Sequence, residues 1–432
     1  MDTNQEQKSN HVLAIIIMFA LFFMIAFVTG YQNPLGNVIQ DLTGDNAIMS
    51  QLGNFANFIA YAVMGYPAGL ILNKYGYRVT ALAAVTVGFV GVLITYLSGI
   101  GNSVAIYLTG SFVAGFSMCM LNTVVNPMLN SLGKNENQGN QLIQFGGSCN
   151  SIGATLAPVV VGYLIGGSAS SIASANPVFY MAMGIFLAAF LVIYFSKLPE
   201  SPTLGQKQEK VSAAGALKHR HFLLGVLAIF MYVGIEVGIP NMLMQYISTP
   251  YVDGDLSGLN LGTGVAGAIV GMYWLLMLCG RLLGGVVGSK VSSRAMLAAA
   301  AFIGMMLVIA AVFSPRSMIV SVAGFENADG IKFTFTQVPI SILLLVMVGI
   351  CTSVMWGAIF NLSVSGLGKY TQVASGLFMV MVCGGGILPL IQASIADYTD
   401  SFRYCYLMVA AMLAYLVFYA LVGSRHSDKI AE

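Results

Sequence analysis

Residues 65–84 read GYPAGLILNKYGYRVTALAA, and residues 280–298 read GRLLGGVVGSKVSSRAMLA. Each stretch begins with two glycines separated by three residues and continues with a Lys and an Arg four positions apart. The second stretch has one additional residue between its glycines and its lysine. Both stretches follow long apolar segments, and glycines at this spacing let membrane helices approach closely. The two stretches therefore predict an internal repeat in a membrane protein.

A second pair of strings supports the repeat. Asn126 precedes Leu132-Gly133-Lys134 by six positions, and Asn361 precedes Leu367-Gly368-Lys369 by six. Each string lies where the fourth apolar segment of its half ends. Two matches at equivalent places predict a duplicated unit of six helices.

The charged residues are too few to cover a soluble protein of this length. The 432 residues include 18 Lys and Arg with 16 Asp and Glu, so 8% are charged and 57% are hydrophobic. Soluble domains carry about 25% charged residues. The composition predicts an integral membrane protein, and a net charge of +2 without a long basic run argues against a nucleic-acid partner.

Cysteine and histidine are not grouped as metal or disulfide sites require. The six Cys occur singly in apolar runs, and the four His lie in polar ends or loops. We therefore predict no metal, no disulfide framework and no cofactor.

Runs of about 20 apolar residues, the length that crosses a bilayer, occur twelve times. The first run is interpreted as a retained helix because eleven more follow it. The sequence thus predicts an all-α integral membrane fold of two pseudo-symmetric six-helix bundles. The runs are 11–40, 48–73, 78–99, 103–131, 138–165, 177–197, 221–248, 261–289, 293–314, 339–367, 371–396 and 402–423.

The distribution of basic residues predicts the orientation. With the amino terminus in the cytoplasm, every Lys and Arg except Arg316, Lys332 and Arg403 falls on or near the cytoplasmic side. This bias is the one that the positive-inside rule describes. We expect both termini in the cytoplasm and, from the short loops, a bacterial inner membrane.

The longest cytoplasmic loop divides the twelve runs into two sets of six. We predict an amino-terminal bundle at 1–197, a cytoplasmic linker at 198–219 and a carboxy-terminal bundle at 220–432. The outer segment 315–338 is long enough for a lid or hairpin at most. A monomer is expected.

Short strings spread along the chain carry a resemblance to a known family. By their order and spacing the chain resembles the major facilitator superfamily, and within it the fucose:proton symporter family. The string at 232–237 is similar to the glucose/galactose transporter branch. The strings are Tyr66-Pro67-Ala68-Gly69-Leu70, Asn126-Pro127, Asn150-Ser151-Ile152-Gly153, Tyr232-Val233-Gly234-Ile235-Glu236-Val237, Gly280-Arg281-x-x-Gly284 and Gly384-Gly385-Gly386-Ile387.

The resemblance implies uptake of a hexose or related sugar by alternating access, commonly driven by protons. Two positions depart from the family pattern. Asn122 stands four residues before the Asn-Pro of the fourth helix, where the family usually has an acid. The first helix carries only Gln32-Asn33-Pro34 where the proton symporters have an Asp.

Glu236 is the one acidic residue that the sequence places in the middle of a span, where its charge costs about 2.5–3.5 kcal/mol. We predict that it couples transport to protons and contacts the substrate. A structural hydrogen bond inside the bundle is the alternative. Arg281, about two turns inside its span, is expected to extend toward the cytoplasmic face, at a different depth from Glu236 and unpaired with it.

Uncharged polar residues at membrane depth predict the substrate site. Amides both donate and accept hydrogen bonds, which suits sugar hydroxyls, and an indole ring stacks on the apolar face of a sugar. The alternatives are interhelical hydrogen bonding for the amides and core packing for the indole. The predicted substrate-binding residues are Gln32, Asn33, Asn57, Tyr61, Asn122, Asn126, Gln144, Asn150, Glu236, Asn241, Trp356 and Asn361.

The basic residues of the repeated stretches predict a gate. They lie at the cytoplasmic ends of helices, where they can latch the two halves together in one conformation. The predicted gating residues are Lys74, Arg78, Arg281, Lys290 and Arg294.

These observations favour a secondary active transporter of a neutral hexose or small saccharide, with coupling to H⁺ as the first candidate. The alternatives are facilitative or sodium-coupled sugar transport, an acidic-sugar or drug transporter, and a non-transporting sugar sensor. A membrane-embedded enzyme would need clustered carboxylates near one interface. The only candidate pairs, Asp253/Asp255 and Asp397/Asp400, are interpreted as solvated loop charges, so we expect no enzyme.

Overall fold

The computed structural model describes residues 3–43, 47–133, 136–165, 171–196, 198–199, 213–249, 258–287, 291–326, 332–367 and 370–425. These residues are almost entirely helical. The helices are α1 (Thr3–Gly30), α2 (Gln32–Thr43), α3 (Ala47–Ser98), α4 (Val104–Leu132), α5 (Glu136–Ile165), α6 (Asn176–Phe195), α7 (Ala213–Leu217), α8 (Arg220–Ser248), α9 (Gly262–Val287), α10 (Ser293–Phe313), α11 (Ile340–Thr352), α12 (Met355–Val364), α13 (Thr371–Met381), α14 (Gly384–Thr399) and α15 (Tyr406–Phe418). A 3₁₀ turn (Ile172–Ala175) precedes α6, and a π turn (Tyr419–Gly423) follows α15.

An antiparallel pair of strands lies in and just after the outer segment 315–338, for which the sequence predicted a lid or hairpin at most. Its strands are β1 (Ile319–Glu326) and β2 (Lys332–Pro339). Val322 and Val338 are buried while Phe335 is 63% exposed, so one face of the hairpin packs on the protein.

Eleven helical segments of the described chain are long and apolar enough to cross a bilayer. One of them, α3, has 52 residues. At 1.5 Å per residue it measures about 78 Å, more than twice the hydrocarbon thickness of about 30 Å. Gly76 divides α3 with φ 78° and ψ 179°, a conformation available almost only to glycine. Because α3 makes two crossings, the prediction of twelve spans is confirmed.

Two later crossings are broken inside the membrane. α11 ends at Thr352 before α12 begins at Met355, and α13 ends at Met381 before α14 begins at Gly384. Regular helical hydrogen bonds are lost at a break, although the second break keeps bonds between residues three apart, such as Val382 N to Met379 O (3.3 Å). A membrane protein tolerates irregular backbone only against protein or a water-filled cavity. The breaks therefore mark the interior of the protein, where a polar site can form.

The glycines of the repeated stretches allow close helix contact at three of their four positions. A methyl group at Gly65 would lie 3.0 Å from Val380 Cγ2, and one at Gly280 would lie 2.8 Å from Ser353 Cβ. Gly284 packs as closely against Val354, whereas Gly69 has no neighbour within 4 Å. The close contact at Gly65 joins α3 to α13, across the predicted boundary between the halves.

The structure corrects the prediction that Asp397 is a solvated loop charge. Its carboxylate accepts hydrogen bonds from the backbone N–H groups of Ala47 (2.9 Å) and Ile48 (3.0 Å), in the first turn of α3. A carboxylate there satisfies unpaired N–H groups and favours the positive end of the helix dipole. Asp397 thus joins α14 to α3 and is not a solvated loop charge, while Asp253 and Asp255 lie outside the described residues.

Candidate functional site

A cavity of about 1210 Å³ lies between the spans before the linker (α1–α6) and those after it (α8–α15). It is larger than the about 300–1,000 Å³ of typical ligand pockets, so it has room for a small ligand and an access path. Ser353, Val354 and Val382, at the breaks in the tenth and eleventh crossings, contribute to its wall. The broken helices therefore face this cavity.

The cavity extends to the helix ends on one side of the protein. Its lining includes Ile143 near the start of α5, Gly284 near the end of α9, Ser293 at the start of α10 and Asn361 near the end of α12. We call this the inner side, because the distribution of basic residues predicts that it faces the cytoplasm. The opposite side is called the outer side.

Predicted amides from both sets of spans line the cavity. Asn122 Nδ2 donates to Tyr61 OH (3.1 Å) and to the backbone oxygen of Met118 (3.1 Å). Asn126 Nδ2 donates to the backbone oxygen of Asn122 (3.0 Å), which stacks the two amides along α4. The predicted residues that line the cavity are Tyr61, Asn122, Asn126, Asn150, Glu236, Asn241, Trp356 and Asn361.

Both tryptophans of the chain lie at the cavity. Trp356 packs edge-on against Tyr232, with ring centroids 6.1 Å apart, and Trp274 packs edge-on against Tyr273 at 5.3 Å. These contacts orient the two indoles while part of each borders the cavity. Trp274 was not among the predicted site residues, although its rarity in the sequence was a signal.

An ion pair crosses the cavity wall. Arg281 Nη2 lies 3.4 Å from Glu236 Oε1, and each side chain is 14% exposed. Arg281 Nη1 also donates to the backbone oxygen of Gly147 (2.5 Å) and to Ser151 Oγ (2.9 Å), both on α5. The guanidinium therefore connects α9 to α8 and to α5.

The expectation that Glu236 and Arg281 lie unpaired at different depths is wrong. The long side chain of Arg281 extends from α9 into the cavity instead of toward the surface. A buried carboxylate without a partner is strongly unfavourable. The guanidinium of Arg281 supplies the opposite charge at hydrogen-bonding distance from the Glu236 carboxylate.

Two predicted substrate contacts lie away from the cavity. Gln32 Nε2 donates to Ser111 Oγ (3.3 Å), and its Oε1 accepts from Tyr107 OH (2.6 Å). Asn57 Nδ2 donates to the backbone oxygen of Ser111 (3.2 Å). Both amides are buried in hydrogen bonds that hold α2, α3 and α4 together, the structural alternative for such residues. The side chains of Asn33 and Gln144 lie outside the described residues.

Asn54 lines the cavity and was not among the predicted contacts. Its Nδ2 donates to the backbone oxygen of Gly385 (2.7 Å), which joins α3 to α14. Asn54 lies two helical turns before Tyr61 and so on the same face of α3. That spacing was the signal in the sequence.

The predicted gating residues behave differently in this conformation. Arg78 donates to the backbone oxygen of Tyr194, and Arg294 donates to Ser424 Oγ (3.3 Å), each within its own set of spans. Arg281 bonds to α5 in the other set, as described above. Lys74 is exposed, 5.0 Å above the ring of Tyr75, and Lys290 lies outside the described residues. The gating role of these residues stays a prediction.

Twelve membrane crossings around a polar cavity that extends to one side define a multi-pass membrane transporter. Residues 15–388 match the Major Facilitator Superfamily. The chain belongs to this family, and the resemblance predicted from its strings is confirmed.

Alignments with known proteins cover nearly the whole chain. It is 27% identical over 435 residues to the "Glucose/galactose transporter" of Brucella abortus, covering 98% of this chain and 97% of that one. It is 21% identical over 451 residues to the "L-fucose-proton symporter" of Escherichia coli, covering 98% and 96%. A crystal structure of the Major Facilitator Superfamily transporter FucP in the outward conformation aligns with a TM-score of 0.66 at 21% identity, over 94% of this chain and 98% of that one. This structural similarity shows the fold.

Because Glu236 and Arg281 form an ion pair, we expect the stability losses of their single variants to be non-additive in the double variant. Glu236→Gln and Arg281→Met each leave one buried charge without its partner, and we expect each to cost about 3–5 kcal/mol. The double variant removes both charges and should recover at least half of the summed loss. Thermal unfolding of the purified protein in detergent measures all three.

Arg294→Met is the matched control for this cycle, because Arg294 hydrogen-bonds to Ser424 and not to Glu236. Its effect should add to that of Glu236→Gln. Purely additive losses for Glu236→Gln and Arg281→Met would contradict a stabilising pair.

Proposed function

We propose that the protein takes up a neutral hexose or related small saccharide by alternating access, with protons as the coupling ion. The observation that carries this proposal is the chemistry of the cavity wall. Among its described lining residues only Glu236 and Arg281 are charged, and they neutralise each other. The remaining polar lining consists mainly of amides and hydroxyls, which suits a ligand without charge.

The lining offers the two kinds of contact that a sugar needs. Amides such as Asn122, Asn126 and Asn361 can donate to or accept from hydroxyl groups. Trp274 and Trp356 present apolar surface on which a pyranose ring can stack. Buried polar groups reject ligands that leave them unpaired, so such a site discriminates by hydroxyl pattern. The relatives from Brucella abortus and Escherichia coli are named for glucose, galactose and L-fucose, which supports this substrate class.

The direction of the cavity supports release toward the inner side. Its lining extends to the inner helix ends, whereas on the outer side the two sets of spans meet in buried hydrogen bonds. In the uptake cycle that we propose, this is the conformation from which the substrate leaves toward the inner side. With the inner side in the cytoplasm, the cycle imports its substrate.

Glu236 is our candidate for the proton site. It is the only carboxylate among the described lining residues, and its sole ion-pair partner there is Arg281. A proton on Glu236 removes the charge that holds Arg281 to α8 but leaves the bonds from Arg281 to α5. Glu236 and Arg281 both belong to the carboxy-terminal spans, so proton binding would break a contact within that set and release the guanidinium that bridges to α5. Coupling would act through this bridging side chain.

Transport into liposomes tests coupling. Wild-type protein should accumulate labelled glucose or galactose against its gradient when the outside is acidified. Glu236→Gln should lose uphill accumulation while retaining sugar exchange, because glutamine holds this position in the uncharged form that a proton would produce and cannot release the proton. Asp400→Asn, which removes an exposed carboxylate, should behave as wild type.

Two results would contradict the proton assignment. Uphill accumulation by Glu236→Gln would remove Glu236 from coupling. Accumulation by the wild type that follows a sodium gradient and ignores pH would favour the sodium-linked alternative.

Sugar affinity tests the amide cluster. Asn122→Ala and Asn126→Ala should each raise the KM for hexose about tenfold, the effect of about 1.4 kcal/mol of lost hydrogen bonding. Asn57→Ala is the matched control, since its amide bonds only within the amino-terminal spans. It should lower thermal stability by about 1 kcal/mol and leave KM unchanged. Unchanged KM for both α4 variants would show that these amides are structural.

A further inference from the structure

Four buried amides close the outer side of the protein. Asn37 on α2 and Gln51 on α3 come from the amino-terminal spans, and Asn241 and Gln245 come from α8. Each is at most 8% exposed. Buried amides are stable only when hydrogen-bonded, so the partners of every nitrogen and oxygen matter.

The first pair of amides forms a chain of hydrogen bonds whose direction is determined by a serine. Ser50 Oγ donates its one hydrogen to the backbone oxygen of Ala47 (2.6 Å), so it accepts from Gln51 Nε2 (3.0 Å). Gln51 therefore presents Oε1 to Asn241, whose Nδ2 donates to it (2.9 Å). Asn241 Oδ1 remains, buried and with no hydrogen-bond partner among the described residues.

The second pair of amides, Asn37 and Gln245, forms a similar chain, but its serine comes from the carboxy-terminal spans. Ser248 Oγ donates to the backbone oxygen of Met244 (2.8 Å) and accepts from Asn37 Nδ2 (2.8 Å). Asn37 Oδ1 then accepts from Gln245 Nε2 (2.6 Å). Gln245 Oε1 is left buried without a hydrogen-bond partner in the described part of the chain.

Both chains end in an amide oxygen on α8, and the two amides are four residues apart. They therefore lie one turn apart on the same face of the helix. A buried acceptor without a donor is unfavourable, and here two occur side by side at the boundary between the two sets of spans. Donors that arrive when the outer side opens would satisfy both.

We infer that Asn241 and Gln245 form an outer saccharide subsite, held shut in this conformation by Gln51 and Asn37. A sugar that enters from outside separates the chains, and its hydroxyls donate to Asn241 Oδ1 and Gln245 Oε1. Asn241 also lines the inner cavity, whereas Gln245 is absent from its lining. The sugar thus meets Gln245 only from outside and Asn241 from both sides. The inference rests on the proposed saccharide transport.

Side-resolved kinetics of Gln245→Leu test the subsite. In right-side-out vesicles the KM for glucose or galactose should rise about tenfold, while in inside-out vesicles it should change less than twofold. Gln392→Leu is the matched control, because Gln392 is equally buried and also has an unpartnered Oε1, but its Nε2 bonds to Cys405 on the same side of the boundary. The control should leave the ratio of the two KM values unchanged.

Thiol labelling gives a second readout that does not depend on leucine being tolerated. The six native cysteines are replaced by alanine, and Gln245→Cys is introduced in that background. A membrane-impermeant maleimide should label this thiol from outside and not from inside, and saturating glucose or galactose should slow the labelling several-fold.

Equal KM changes on both faces, or none on either, would overturn the subsite. Labelling that sugar leaves unchanged, or no outside labelling of a transport-competent variant, would overturn it as well. These failures differ from failure of the proposed function, in which the wild-type protein itself transports no saccharide.

Discussion

A charge inside a membrane needs partners, and Arg281 has them in both sets of spans. Its guanidinium pairs with Glu236 on α8 and hydrogen-bonds to Gly147 and Ser151 on α5. The low dielectric of the bilayer makes each of these contacts costly to break without replacement. Arg281 thus joins α5, α8 and α9 at the cavity wall, in addition to the close packing of α5 on α9 at Gly267 and Gly271.

The same pairing explains why the cavity suits an uncharged ligand. Glu236 and Arg281 neutralise each other, so recognition falls to amides, hydroxyls and indoles. A proton on Glu236 would release Arg281 from α8, its partner within the carboxy-terminal spans, and leave its bonds to α5 across the boundary. A change of charge would thus act on a side chain that joins the two sets of spans. Substrate binding and coupling are thus proposed to share one wall of one cavity.

The outer side of the protein is closed by polar contacts between the two sets of spans. On the outer side, Asn37, Gln51, Asn241 and Gln245 bond across the boundary, and Asp397 caps α3. A neutral hydrogen bond contributes about 0.5–1.5 kcal/mol net. The summed free energy of a few such bonds is similar to the few kcal/mol that separate conformations in exchange. Closure by these bonds is therefore reversible. Apolar packing in the same place would give a sugar no hydrogen-bonding groups with which its hydroxyls could replace the closing contacts.

The sequence predicted the fold well because the bilayer restricts what can span it. Twelve apolar runs and a one-sided distribution of basic residues suffice to predict a twelve-helix transporter. Even the 52-residue helix α3 was predicted as two crossings, 48–73 and 78–99, and the conformation of Gly76 divides it between them. Hydropathy locates the spans, whereas backbone geometry decides where a helix breaks.

The site was predicted in part, for a physical reason. Periodicity tells which residues share a helix face: Asn122 lies one turn before Asn126, and Asn57 lies one turn before Tyr61. It does not tell which neighbouring helix covers that face, so Asn57 and Gln32 were assigned to the cavity although Ser111 and Tyr107 take their hydrogen bonds. The pairing of Arg281 was missed because depth along a helix does not determine where a long side chain extends.

The central claim is that the cavity binds a saccharide. Trp274 and Trp356 are the only tryptophans in the chain, and both line the cavity. Tryptophan fluorescence, excited at a wavelength that the 20 tyrosines do not absorb, therefore reports on this site. Titration of the purified protein with glucose or galactose should give a saturable change in emission, reduced in Trp356→Phe and absent with an uncharged polyol too large for the cavity. Emission that does not change with any hexose, from protein that remains folded, would contradict the account.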